Sequence, residues 1–207
     1  ISELPKGARV GIVGAGLSGI ELASELRESR TDLEIILYDR GPRILRNFPE
    51  KLSNYIAKWF RENNVNVVPN SLIDKVEQGT IYNNGTPEPV DIVVWTAGIQ
   101  PVEIVRKLPI DTNKSGRVIV NQYHQVPTYK NVYVVGDCAA LPHAPSAQLA
   151  EVQGDQIADV LKKQWLNEPL PDKMPELKVQ GIVGSLGDKQ GFAYIMDRTV
   201  TGRLASI

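Results

Sequence analysis

Residues 8–29 read ARVGIVGAGLSGIELASELRES, a buried-strand pattern that runs straight into a helical one. The turn between them is Gly14-Ala15-Gly16-Leu17-Ser18-Gly19. Each glycine falls where a dinucleotide pyrophosphate needs it. Gly14 permits the tight turn, Gly16 lets phosphate approach the backbone, and Gly19 lets the helix pack close to the strand. The helix that follows offers unpaired N–H groups and the positive end of its dipole. The next apolar run, LEIILYD (33–39), ends in Asp39, about 20 residues beyond Gly19, where a carboxylate accepts hydrogen bonds from an adenosine ribose. A glycine turn closing an ordinary strand–helix unit would share the glycines but not the placed acid.

Outward from this unit the pattern alternates: strand 8–14, helix 17–30, strand 33–39, helix 50–63, strand 65–69. Such alternation predicts an α/β fold with right-handed crossovers and a parallel sheet. The rhythm then changes. SLIDKVEQG (71–79), TIYNNG (80–85) and EPVDIVVWTAG (88–98) are strand-like, punctuated by Gly79 and by Asn83-Asn84-Gly85, which is hairpin chemistry. An antiparallel meander is expected there, with DIVVW returning to the parallel sheet. A short amphipathic stretch covers 102–108. RVIV (117–120) and NVYVVGD (131–137) read as short strands, followed by a helix from about Ser146 to Trp165. NEPLPDKMPE (167–176) is a linker by composition. The tail holds strand-like runs with a turn between Gly187 and Gly191.

The chain has 207 residues, enough for a proper core, with 23 Lys+Arg against 24 Asp+Glu. That near-neutral balance argues against nucleic acid as a partner. No apolar stretch approaches the ~18 residues a bilayer span requires, and no secretory signal opens the chain. A single cysteine, Cys138, excludes an internal disulfide and fits a reducing, cytoplasmic compartment. The first residue is Ile1, which reads as an excised piece of a longer protein.

Two further motifs carry chemistry. Thr96-Ala97-Gly98, with Pro101 beyond, ends a buried strand at the edge where parallel sheets bind ligands; small residues there admit a nicotinamide or second cofactor, although a plain strand-ending turn reads the same way. Gly136-Asp137 follows an apolar run and suits a sugar-alcohol chain, or a capped turn. Ser146 is a helix N-cap, and the positive end of that helix would stabilise charge developing on a nearby ring. Gln148 and Gln153 otherwise describe an exposed polar helix face. His143 reads as a loop residue, and His124 is given no role.

The order GAGLSG–IE, LYD, WTAGIQP, VYVVGDCA and AQLAEVQG resembles the flavoprotein pyridine-nucleotide oxidoreductases, and more narrowly the type II, single-subunit, non-proton-pumping NADH:quinone oxidoreductases. The resemblance implies a Rossmann-like NAD(H)-binding domain with an antiparallel meander over residues 1–112. It further implies part of an FAD-binding domain over 113–165 and a strand-rich C-terminal region over 166–207. It implies two cofactors, NAD and FAD. Gly14, Gly16 and Gly19 would hold the NADH pyrophosphate and Asp39 its ribose. Thr96, Ala97 and Gly98 would lie near nicotinamide and flavin. Gly136 and Asp137 would bind the ribitol, and the Ala147-Gln148 helix start would sit by the flavin ring. Glu21 and Gln148 are its loosely catalytic positions, Glu21 beside the nicotinamide and Gln148 at the quinone.

Three departures qualify the resemblance. Only one glycine motif is present, so the FAD adenosine–pyrophosphate unit lies outside this sequence. Val152 stands where the family places a second quinone-facing glutamine, with Gln153 beside it. The amphipathic C-terminal membrane helices of the family are not included. The partners implied are NADH and a quinone or other small electron acceptor, compatible with a homodimer and with a parent protein peripheral on the cytoplasmic membrane face. A soluble ferredoxin, rubredoxin or disulfide reductase, and an NAD-binding module without turnover, remain alternatives at this point.

Overall fold

The computed structural model describes residues 1–142, 145–177 and 181–205. They fall into two compact units, one of residues 1–98 with the tail from 181, the other of residues 99–180.

The first unit is built on a parallel sheet in the order β3-β2-β1-β7, formed by β1 (Arg9–Val13), β2 (Glu34–Tyr38), β3 (Val65–Val68) and β7 (Ile92–Trp95). Strand β1 lies between two neighbours, in register with Ile35–Tyr38 on one side and Ile92–Trp95 on the other. Val10 and Ile12 on one face and Val13 on the other are all buried, as in a strand covered on both faces. The crossovers are α1 (Leu17–Ser29) and α2 (Glu50–Glu62). Helix α2 buries Leu52, Ile56, Trp59 and Phe60, the 3.6-residue stripe of a core-facing helix.

The expected meander is present as β4 (Ile73–Glu77), β5 (Thr80–Asn83) and β6 (Thr86–Pro89), an antiparallel sheet of its own. Asn84 and Gly85 both have positive φ, the requirement of a two-residue hairpin turn. Tyr38 fixes this sheet to the parallel one: fully buried, it donates its hydroxyl to Glu88 at 2.6 Å. Burial foremost, then that carboxylate, raises the phenol above its ordinary range.

The tail adds a third sheet to the same core. Strands β10 (Gly181–Leu186), β11 (Gln190–Ile195) and β12 (Arg198–Gly202) form an antiparallel hairpin-plus-one, and the expected turn lies between Leu186 and Gln190. Leu186 and Phe192, fully buried, join the cluster built by α1, α2, β1 and β2. Glu21 of α1 accepts the Ser185 N–H at 3.2 Å and Glu28, two turns on, accepts that of Asp188 at 2.6 Å. Tyr55 of α2 donates to Gln190.

The second unit holds α3 (Glu103–Arg106), β8 (Val118–Ile119), β9 (Ala139–Ala140) and the long α4 (Ala147–Trp165). Here the sequence reading needs correction. NVYVVGD forms no strand: Val132 donates to the turn carbonyl of Tyr129, and the bonds from Val134 to His124 and from Val126 to Val132 make only a single bridge, Gln125 to Tyr133. Strand β8 pairs instead with β9, beyond Gly136. The proline-rich stretch is likewise tied down. Tyr123 donates to the Pro171 carbonyl, Gln122 to Asp172 and Gln156 to Pro175. His124, given no role above, is buried and hydrogen-bonded to Gln156 at 2.8 Å. Among the described residues no helix is long and apolar enough to cross a membrane.

The shared core predicts that Phe192→Ala costs about 3–5 kcal/mol. In urea unfolding followed by circular dichroism, the first unit should lose stability as a whole. A change confined to the tail would show that the hairpin is only appended.

Candidate functional site

In the first unit the site residues gather at the carboxyl ends of β1, β2 and β7, the ligand edge of an open parallel sheet. Gly14 has φ +111°, and a Cβ there would stand 2.9 Å from the Ala97 backbone. A Cβ on Gly19 would stand 1.9 Å from the Gly14 carbonyl and 2.9 Å from Thr96 Oγ1. Both glycines are therefore set by protein packing. Gly16 differs: it is exposed, and a Cβ on it meets nothing within 4 Å. Space in front of Gly16 is open to whatever approaches the helix.

Helix α1 begins at that point with Gly16 as N-cap and no side-chain capping hydrogen bond. The N–H groups of its first turn thus have no side-chain acceptor, and the dipole of a 13-residue helix adds partial positive charge. Helix α4, by contrast, is capped by Ser146, whose Oγ accepts from Leu149 N–H. An uncapped first turn behind an unobstructed glycine is a site for an anionic group.

Asp39 sits one residue beyond β2 with its carboxylate oriented by two backbone donors. Ala15 N–H reaches Oδ2 at 2.8 Å and Gly41 N–H reaches Oδ1 at 2.6 Å. Ala15 is held from its other side as well, its carbonyl accepting Leu45 N–H at 3.2 Å. Each carboxylate oxygen keeps acceptor capacity, since it has two lone pairs and one donor. The Ala15 bond was not legible in the sequence, because nothing local marks a contact spanning 24 residues.

Thr96 ties β7 to the glycine turn, its hydroxyl lying 3.0 Å from the carbonyls of both Val13 and Gly14. Gly98 has φ +81°, and Trp95, 57% exposed, donates its indole N–H to Ala97. Glu21, on the second turn of α1, is placed by its bond to Ser185.

The second unit carries the remaining site residues. Gly136 and Asp137 open a 3-10 turn, Gly136 with φ +70° and Asp137 exposed. Ala147 and Gln148 are the exposed first residues of α4. The alternative of an exposed polar helix face does not hold for Gln153. It is 2% exposed, and its Oε1 accepts the Gly136 N–H at 2.6 Å, so α4 holds the Gly136-Asp137 turn in place. Gly136, Asp137 and Gln153 line a recess of about 10 Å³ with Leu141, Pro145 and Leu149, room for one water. Val152 is half-buried on α4, and His143 lies outside the described residues. Among the described residues no cluster of metal-ligating side chains occurs.

The glycine turn, the placed acid and the strand-end motif can now be set beside known proteins. The chain is 53% identical over 204 residues to the NADH dehydrogenase-like protein YutJ of Bacillus subtilis, covering 99% of this chain and 58% of that protein. It is 27% identical over 182 residues to the type II NADH:quinone oxidoreductase of Haemophilus influenzae, covering 78% of this chain and 41% of that one. The chain thus spans about half the length of these relatives. Its fold matches that of NDH2 from Plasmodium falciparum, solved in complex with NADH, with TM-score 0.77 at 16% identity over 96% of this chain and 60% of that one. The family model described as pyridine nucleotide-disulphide oxidoreductase matches residues 1–154, and the chain belongs to that family.

Proposed function

We propose that this chain supplies the NADH-binding part, and a portion of the flavin-binding part, of an FAD-dependent NADH dehydrogenase whose electron acceptor is a quinone. The observation that carries the reading is the uncapped N-terminus of α1 behind the unobstructed Gly16, with the Asp39 carboxylate oriented beside it. Support comes from the relatives, which are named as NADH dehydrogenase-like and as type II NADH:quinone oxidoreductase.

In this reading residues 1–112 form the NAD(H)-binding domain, 113–165 a returning part of the FAD-binding domain and 166–207 a C-terminal region. The first-turn N–H groups of α1 bind the pyrophosphate, and Gly16 admits it to hydrogen-bonding distance. Asp39 accepts from the adenosine ribose and opposes a 2′-phosphate at the same place. Thr96, Ala97 and Gly98 give the nicotinamide a surface of small residues, with Glu21 beside it on α1. The residues on the second unit suit a flavin's polar chain: Asp137 is an exposed acceptor, and Gln153 fixes the turn that presents it. The start of α4 at Ala147-Gln148 directs positive potential outward. A flavin held by Asp137 and the start of α4 would supply the hydride-accepting chemistry and the onward transfer of electrons. The protein's part is to orient the two rings, so Glu21 and Gln148 position groups rather than transfer protons. Peripheral association with a membrane and a homodimeric assembly complete the proposal.

Two glycine variants separate ligand effects from folding. Gly16→Ala should leave stability within about 1 kcal/mol, while weakening NADH in calorimetric titration by about tenfold or more. Gly19→Ala should lower stability and binding together, because its Cβ meets the Gly14 carbonyl. Unchanged NADH affinity in a folded Gly16→Ala chain would overturn the pyrophosphate site. The same titration should show tighter binding of NADH than NADPH, and Asp39→Ala should narrow the difference.

The acceptor is tested in the complete enzyme. Gln148 offers an amide to a quinone carbonyl, whereas Val152 offers only apolar contact. One added hydrogen bond contributes about 1 kcal/mol, roughly fivefold in affinity. Val152→Gln should therefore lower the KM for a short-chain quinone by that factor and leave the KM for NADH unchanged. Rapid ferricyanide reduction with no quinone turnover, even in Val152→Gln, would exclude the quinone.

A further inference from the structure

Arg117 is half-buried, yet none of the ion pairs among the described residues uses it. Its donors go to two backbone carbonyls instead, Nε to that of Asp137 at 3.1 Å and Nη2 to that of Ile99 at 3.0 Å. Both carbonyls belong to stretches already placed at the site. Asp137 is the exposed acceptor of the 3-10 turn, and Ile99 follows directly on Thr96-Ala97-Gly98. A planar, permanently charged fork holds two acceptors at one fixed spacing, which a flexible ammonium group cannot do.

The local fold sets where that fork stands. Residues 113–117 close a tight turn in which Asn113 Oδ1 accepts the N–H groups of Ser115 and Arg117. The Arg117 carbonyl accepts from Asn113 N–H at 2.8 Å, and Gly116 supplies φ +75°. Strand β8 starts at the next residue, Val118, in register with Ala139 of β9, two residues beyond Asp137. Arg117 therefore leaves the backbone beside the Gly136-Asp137 turn, from a base that is itself tied down. Gln153 of α4 accepts the Gly136 N–H of the same turn. One side chain holds the turn by an N–H and another by a carbonyl, while Asp137 stays exposed. Arg117 then extends the hold to Ile99.

We infer that Arg117 is a positioning residue for hydride transfer, setting the spacing between the Ile99 end of the nicotinamide loop and the turn that carries the flavin's polar chain. This rests on the NADH dehydrogenase reading above. Arg117 touches neither reactant in this role and acts through two carbonyls. Misplacing reacting groups by about 1 Å costs up to about a hundredfold in rate. The nucleotide's own anchors, the α1 N-terminus and Asp39, lie on other elements. Loss of Arg117 therefore acts on the chemical step and on flavin affinity, and little on NADH affinity.

Arg117→Ala and Arg117→Lys are compared with the parent in the complete enzyme. In Arg117→Ala the flavin-free protein should melt within about 4 °C of the parent. Flavin rebinding, followed by fluorescence quenching, should weaken by about fivefold, the worth of one hydrogen bond. In the flavin-saturated variant, anaerobic stopped-flow reduction by saturating NADH should slow by about tenfold, while the half-saturating NADH concentration changes by less than about threefold. Arg117→Lys keeps the charge without the fork, so it should recover flavin affinity better than the reduction rate. Should Arg117→Ala not fold, Arg117→Lys carries the same test, its rate falling while its flavin affinity holds. An unchanged reduction rate in flavin-saturated Arg117→Ala, or full recovery of the rate in Arg117→Lys, would overturn the inference alone. A parent enzyme that takes up flavin but is not reduced by NADH would overturn the NADH dehydrogenase reading and this inference with it.

Discussion

Both backbone groups of Ala15 are clamped, and the carboxyl edge of the parallel sheet is organised around that clamp. Its N–H is given to Asp39 and its carbonyl accepts from Leu45. One residue of the glycine turn is thereby tied to the end of β2 and to the loop that follows it. Removing the Asp39 acceptor would leave the N–H of a buried residue to find another partner or lose its solvation, a cost of about 1–3 kcal/mol. In the proposed reading the same carboxylate also faces the ribose. Asp39 then serves structure and recognition at once, and any change there acts on the shape of the turn as well as on its charge.

A second dependence joins the nucleotide edge to the tail. Glu21 and Glu28 lie seven residues apart on α1, almost one above the other, and both carboxylates accept backbone N–H groups of the tail hairpin. Leu186 and Phe192 fill the core behind them. The helix proposed to meet the pyrophosphate with its N-terminus is thus held along its length by strands encoded more than 150 residues later. Its position is fixed by packing rather than by helix propensity, which alone seldom stabilises a short helix.

What the sequence revealed follows the range of the interactions. The parallel sheet, both crossover helices and the meander were legible, because each rests on local periodicity and turn residues; Asn84-Gly85 is the plainest case. The roles of Gly14 and Gly19 were legible because the motif encodes close packing, which the approaches to Ala97 and to the Gly14 carbonyl bear out. The runs of the second unit were not. NVYVVGD has strand composition, but its pairing stops at one bridge and the Val132 N–H goes to the turn carbonyl of Tyr129. The burial of Gln153 has no local signal, since a glutamine on a helix is usually exposed, and only the distant Gly136 N–H explains it. The proline-rich stretch was read from composition, which carries no information about Tyr123, Gln122 and Gln156, the side chains that hold it.

The late arrival of the tail bears on how the chain is made. Helices α1 and α2 are complete by residue 62, yet the face they bury against Leu186 and Phe192 has no cover until about residue 192 leaves the ribosome. At ordinary translation rates of roughly 5–20 residues per second that interval is on the order of ten seconds. During it the nascent parallel sheet presents an apolar surface at the moment when aggregation or chaperone capture competes with folding. The proposed nucleotide site therefore matures only after the second unit has been synthesised, although nearly all its residues belong to the first hundred.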